Sequence, residues 1–181
     1  MPTASTTKVF TIGLTKLEAA HVQANGAKPS SGWEQHGNVY RDTLTLETSD
    51  PTVENYYEEE LDKPVASQGT EGETTLAFEI LRPSVADLVF WAGGSADDVT
   101  SGDGRVWNAP IGYVDKKLAL KLTSKQGYII EIPKAQIVAS TTGGGSKSTP
   151  MRLKVSATVL VPSNEQGVDQ TPMVYTAPAS A

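Results

Sequence analysis

Few residues in this chain have types and spacing suited to chemistry. The most suggestive stretch is TTGGGSKSTP, residues 141–150, where three glycines precede Lys147, Ser148 and Thr149. Those are the residue types that cradle a nucleotide phosphate. A phosphate loop requires Gly, four residues, Gly, Lys, then Ser or Thr. Counting back from Lys147, the two glycine positions are Ser146 and Thr141. The motif also needs a helix starting at the lysine, whose N-terminus helps bind the anion. Here Pro150 follows, then MRLKVSATVLV. That run alternates, with Leu153, Val155, Ala157, Val159 and Val161 on one side and Arg152, Lys154, Ser156 and Thr158 on the other. Period two is the signature of a strand. The glycines therefore read as a flexible hairpin loop, made basic by Lys147.

Other constellations fare no better. His21 and His36 are the only histidines, and neither stands in a metal-binding pair or beside a candidate nucleophile. They read as isolated surface side chains. There is no G-x-S-x-G elbow for a serine nucleophile. Glu58, Glu59, Glu60 and Asp62 form an acidic run. Glycosidase carboxylates are instead placed by a rigid fold around a cleft, so a contiguous run reads as a solvated face. DDVTSGDG, residues 97–104, has the flavour of a calcium loop, but its alternation fails at Val99 and no glutamate closes it. Trp33, Trp91, Trp107, Tyr56, Tyr57 and Tyr113 are the raw material for a sugar-stacking platform. Trp91 falls at a helix end, where core packing is expected, and the others are scattered singly. The expectation is a non-enzymatic chain without a cofactor or metal.

The elements that would position these residues are mostly strands. Leu44 and Leu46 share a face in TLTLE, as do Leu76, Phe78 and Ile80 in TTLAFEIL. KLALKLT puts Leu118, Leu120 and Leu122 inside, with Lys117 and Lys121 outside. VFTIGL aligns Phe10, Ile12 and Leu14. YIIEIPKAQIVAS reads as a strand or pair of strands in which Pro133 marks an edge or a bulge. SGDG at 101–104 and SKQG at 124–127 suit tight reversals. One helix stands out at about 84–92: Val85, Leu88, Val89 and Ala92 follow helical spacing, Ser84 and Asp87 form a capping box, and Gly93 and Gly94 end it. At two turns it must dock on the sheets. The fold expected is a mainly β, antiparallel β-sandwich or barrel with one short flanking helix, a single domain over 1–181.

Three segments lie outside that body: a polar arm at 1–8, a long charged loop at 49–73, and a tail at 163–181 rich in Pro, Thr, Ala and Gln that is expected to be loose. A structureless loop of that length is usually functional or disordered.

The 181 residues include no cysteine, so disulfides, thiolate metal sites and cysteine nucleophiles are excluded together. The N-terminal residues show no apolar run suited to a signal peptide, and none of the chain reads as membrane-spanning. A soluble protein made in the cytoplasm is expected. The formal net charge is −6, which disfavours wrapping nucleic acid. The charge is uneven. Residues 1–90 carry 14 acidic and 6 basic side chains, whereas 91–181 carry 7 acidic and 9 basic. Head-to-tail association of an acidic surface with a basic one would follow from such an asymmetry.

The order of elements is the most specific signal. TLTLE leads into the long loop, then TTLAFEIL, then the short helix SVADLVFWAGG, and paired strands end in IPKAQIVAS and RLKVSATVLVP. Over roughly residues 40–162 this resembles the major tail protein, or tail tube protein, of long-tailed bacteriophages, which is related to type VI secretion tube proteins. The resemblance implies a virion structural protein made in the bacterial host. Its copies would form hexameric rings that stack into a tube, and loops and arms would reach neighbouring copies. Its partners would be other copies, the tape-measure protein and tail completion proteins. DNA would pass through the lumen without sequence-specific binding, and no cofactor or membrane would be involved. Glu58, Glu60 and Asp62, which share one side if their run is extended, are the candidate lumen or inter-subunit acidic residues. Lys147 is the candidate inter-subunit basic residue, facing the 49–73 loop of a neighbour. The second reading is a carbohydrate-binding or adhesin-like β-sandwich module, and the third is an enzyme built on the acidic run.

Overall fold

The structure is a computed structural model that describes residues 13–98, 105–143 and 150–178. Twelve strands and one helix follow in chain order: β1 (Leu14–His21), β2 (Asn38–Val39), β3 (Thr45–Thr48), β4 (Thr52–Tyr56), β5 (Ala66–Thr70), β6 (Thr74–Leu81), α1 (Val85–Ala92), β7 (Ser95–Asp98), β8 (Arg105–Asn108), β9 (Lys116–Ser124), β10 (Ile129–Thr142), β11 (Arg152–Val159) and β12 (Val174–Thr176). Eight strands make one antiparallel sheet in the order β1-β9-β10-β11-β6, with β2 and β3 sharing the outer edge of β6 and β12 joining β10. The sheet curls into a nearly closed barrel. The expected mainly β class with one short helix is therefore the class observed.

The alternating runs build the barrel interior. Leu76, Phe78 and Ile80 of β6 face inward with Leu153, Val155 and Ala157 of β11, none more than 1 % exposed. Leu118 and Leu120 of β9 and Ile132 and Ile137 of β10 complete the same cluster. Removing apolar surface from water at about 25 cal/mol per Å² is the main force holding such a sheet curled. The alternation in the last of these runs overreaches, because β11 stops at Val159 and Val161 is half exposed.

Pro133 lies in a central strand, where it marks a bulge. The pairing of β10 with β9 shifts between Ile132 and Ala135: three positions on β10 pass against two on β9. A proline cannot donate to the ladder, and a bulge is where a sheet interior tolerates it. The bulge also divides the neighbours of β10. Before it, Ile129 to Glu131 pair with β12; after it, Ala135 to Thr142 pair with β11. The C-terminal tail expected to be loose is thus fastened to the barrel by β12, and within the tail Ser163 and Asp169 form a local bridge. Tyr175 stacks on buried Tyr128 at 5.3 Å.

The helix forms as the sequence dictates. The Ser84 side chain accepts from the Asp87 amide at 3.1 Å, and Asp87 accepts from the Ser84 amide at 2.9 Å. Gly93, at φ 81, ends it. No basic residue occupies its last turn, but Lys116 of β9 reaches across and donates to the carbonyls of Val89 and Phe90. This places a cation where the helix dipole is negative. Trp91 buries its ring edge-on to Phe78, 5.4 Å away, and donates its indole N–H to the His36 carbonyl at 2.9 Å. The β7–β8 hairpin flanks the helix and is joined to its end by Trp107, whose indole donates to the Gly93 carbonyl at 2.8 Å. Gly94, at φ +88, has no room for a side chain, because a Cβ would collide with the Asn108 carbonyl. The turn expected at 101–104 and the calcium-like run beyond Asp98 lie outside the described residues. The SKQG reversal is present, closing β9 onto β10 through Gly127, whose amide donates to Ser124.

Residues 22–37 connect β1 to β2 and form a strap. The strap bonds the free edge of β1 through two backbone hydrogen bonds between Ala19 and Glu34. It also covers charged groups on the outer sheet face. Lys28 bonds buried Glu131 at 2.6 Å, and Lys121 sits 5.6 Å over the Trp33 ring. VFTIGL was expected to form the first strand, but the described strand begins at its last residue, Leu14; Phe10 and Ile12, like the 1–8 arm, lie outside the described residues.

Candidate functional site

The acidic residues singled out from sequence sit at the tip of a projection. The 49–73 segment is a β-hairpin rather than an unstructured loop: β4 and β5 pair with each other from Thr52↔Thr70 to Tyr56↔Ala66 and belong to no other sheet. Its root is fixed to the barrel. Ser49 donates its amide to the Glu73 carbonyl at 2.9 Å, its side chain accepts from the Glu73 amide, and Thr158 of β11 donates to the Glu73 carboxylate. Gly72 makes that approach possible, since a Cβ there would strike the Ser49 carbonyl. Beyond the root, all ten strand residues are exposed.

Glu58, Glu60 and Asp62 are exposed in the tip, together with Glu59. The run is not extended: the Leu61 amide donates to the Glu58 carbonyl at 3.0 Å, closing a turn. The premise that would align the three carboxylates on one side therefore fails, and they cluster around the turn instead. None of the four is in an ion pair among the described residues. Tyr57, Leu61 and Val65 lie exposed among them. Lys147 lies outside the described residues.

The remaining constellations are dispersed. Each tryptophan gives its indole N–H to a backbone carbonyl in a different part of the chain: Trp33 to Pro29, Trp91 to His36 and Trp107 to Gly93. Tyr113 accepts from Gln136 on β10, and Tyr56 lies on the hairpin. Among the described residues no group of three or more His, Asp or Glu is arranged to hold a metal ion, and no helix is long and apolar enough to cross a membrane.

His36 is not the surface side chain expected. It is partly buried and stacked on Phe90, with ring centroids 3.4 Å apart. Burial lowers its pKa from 6.5, against an opposing pull from Glu34 and Asp87. The folded chain therefore resists protonating His36 at a pH where the unfolded chain already does. Its contribution to stability is complete above about pH 6.5 and is lost below that, as pH falls through the lower pKa of the folded state. The expected result is a smaller drop in urea midpoint between about pH 7.5 and pH 5.5 in His36→Gln than in the parent protein.

A second surface feature was invisible in sequence. Where the barrel fails to close, between β1 and the β2–β3 edge, lies an open groove of about 950 Å³. It is lined by segments far apart in the chain: residues 13–17, 35–44 and 122–130.

Fold and surface together define a mainly β, barrel-like domain carrying one helix, a projecting acidic hairpin and a seam groove. No protein-family model matches the chain, and no curated protein is significantly similar to it.

Proposed function

We propose that the chain is a structural subunit of a phage tail tube, self-assembling into stacked hexameric rings that form a conduit for DNA. The observation that carries this reading is the β4–β5 hairpin. An isolated two-stranded hairpin is marginal in water at best, and this one exposes all ten strand residues together with Tyr57, Leu61 and Val65. A neighbouring copy would supply the missing contact. The barrel edges at β1 and at β2–β3, only partly paired among the described residues, fit the same reading, since pairing edges between copies removes them as aggregation sites. The order of elements that resembles tail tube proteins supports it independently. Tip carboxylates on a projection favour an inter-subunit role for Glu58, Glu60 and Asp62 over a lumen lining. In this role the chain meets its own copies, the tape-measure protein and tail completion proteins. DNA passes without sequence-specific contact, and the site of action is the virion tail.

Negative-stain electron microscopy of the purified chain at rising concentration, with light scattering on the same samples, tests this. Rings or stacked tubes are the expected result. Monodisperse single chains at every concentration would count against self-assembly and make binding to a glycan array the next measurement.

A further inference from the structure

The seam groove and the hairpin tip are chemical complements. The groove floor is apolar, with Leu14, Leu17, Val39, Leu44, Leu122 and Ile130. Its rim carries Lys16, Arg41 and Lys125 beside Asp42, with Lys16 held by the nearly buried Glu18 at 2.7 Å. Arg41 and Asp42 form an exposed pair at 3.3 Å, a contact worth little in water and readily exchanged. Lys125 has no ion-pair partner among the described residues. The tip inverts this pattern: Glu58, Glu59, Glu60 and Asp62 against Lys63, around the exposed side chains of Tyr57, Leu61 and Val65.

The two features also lie at opposite ends of β6. The hairpin springs from the end where Thr48 pairs with Thr74, while the groove opens beside Val39, which pairs with Ile80. Six residues of strand separate those ends, roughly 20 Å at 3.3 Å per residue. We infer that the hairpin tip of one copy docks in the seam groove of the next, its apolar side chains on the floor and its carboxylates on the rim cations. This rests on the self-assembling reading and specifies its head-to-tail contact. A contact between two different surfaces of identical chains repeats without closing and builds a filament. Opposed charges at such a contact also steer encounter and reject mispaired copies.

The chain has no cysteine, so disulfide trapping reports the contact cleanly. In the full chain carrying Leu61→Cys and Thr15→Cys, oxidation should give a ladder of cross-linked chains that lengthens with concentration. Leu61→Cys paired with Lys154→Cys, outside the groove, should not. Reversing the tip (E58K, E60K and D62K) should lower cross-linking by roughly tenfold or more, because like charges then face one another. Mixing that variant, carrying Leu61→Cys, with a groove-reversed chain (R41E and K125E) carrying Thr15→Cys should restore it. Tubes in the microscope without a Leu61–Thr15 cross-link above control would overturn the docking and leave the tube reading intact. Neither cross-links nor particles at any concentration would remove both. An efficient intrachain disulfide between Phe10→Cys and Leu44→Cys, with no Leu61–Thr15 ladder, would overturn the docking by assigning the groove to the chain's own N-terminal residues.

Discussion

Trp91→Ala lowers the stability of the folded chain by about 3–5 kcal/mol, the range for deleting a large buried aromatic. Trp91 is 2 % exposed and is the point where helix, sheet and strap meet. Its ring packs edge-on against Phe78 of the barrel and Phe90 of its own helix, and it lies 6.5 Å from the His36 ring. The indole N–H satisfies the His36 carbonyl. Truncation leaves a cavity between helix and sheet and strands that carbonyl. A two-turn helix has little stability of its own, so losing this anchor costs more than the ring's area implies. In a chain of this size the thermal midpoint falls by roughly 10 °C. Trp91→Phe separates the parts. It keeps most of the ring contact and loses the hydrogen bond, so about 1–3 kcal/mol is expected from the unsatisfied carbonyl. Urea unfolding followed by circular dichroism measures both. A Trp91→Ala midpoint within error of the parent would mean that the helix is not held by this contact.

That anchor was legible in the sequence because its signals are local. The capping box, the helical spacing from Val85 to Ala92 and the Gly-Gly stop all lie within eleven residues. The strands β6, β9 and β11 were equally plain, since each presents one apolar face to a single core. The sequence misled where a strand departs from that condition. β1 includes Leu17, Glu18, Ala19 and Ala20, all buried, because the strap and its contacts shield the second face; with both faces covered the alternation vanishes. β4 and β5 bury nothing, so no apolar period marks them, and only their mutual pairing makes them strands. β12 is three residues long and depends on the edge that the Pro133 bulge leaves open on β10. The acidic run was visible as composition, but its geometry was not: the turn at Glu58–Leu61 is fixed by the hairpin register. The seam groove had no sequence signal, since it exists only where three distant segments meet around an unclosed barrel. His36 was misjudged for the same reason, as Phe90 lies more than fifty residues away in the chain.

Replacing residues 57–65 with Asn-Gly abolishes assembly while leaving the barrel as stable as before. The paired strands end at Tyr56 and Ala66, and Asn-Gly supplies the two-residue turn whose twist suits a hairpin. The replacement removes every tip carboxylate and the exposed Tyr57, Leu61 and Val65, but no residue of the buried core. The bonds that root the hairpin, between Ser49, Glu73 and Thr158, remain. The thermal midpoint is therefore expected to move by no more than about 2 °C, less than 1 kcal/mol in a chain of this length. Scattering and negative stain should then show single chains under conditions where the parent forms rings or tubes. The contrast separates a contact surface from a structural one: a segment that stabilised its own barrel would lower both readings together. Tubes that still form from the shortened chain would show that the tip is not the contact joining copies, and the hairpin would no longer support a tail tube subunit.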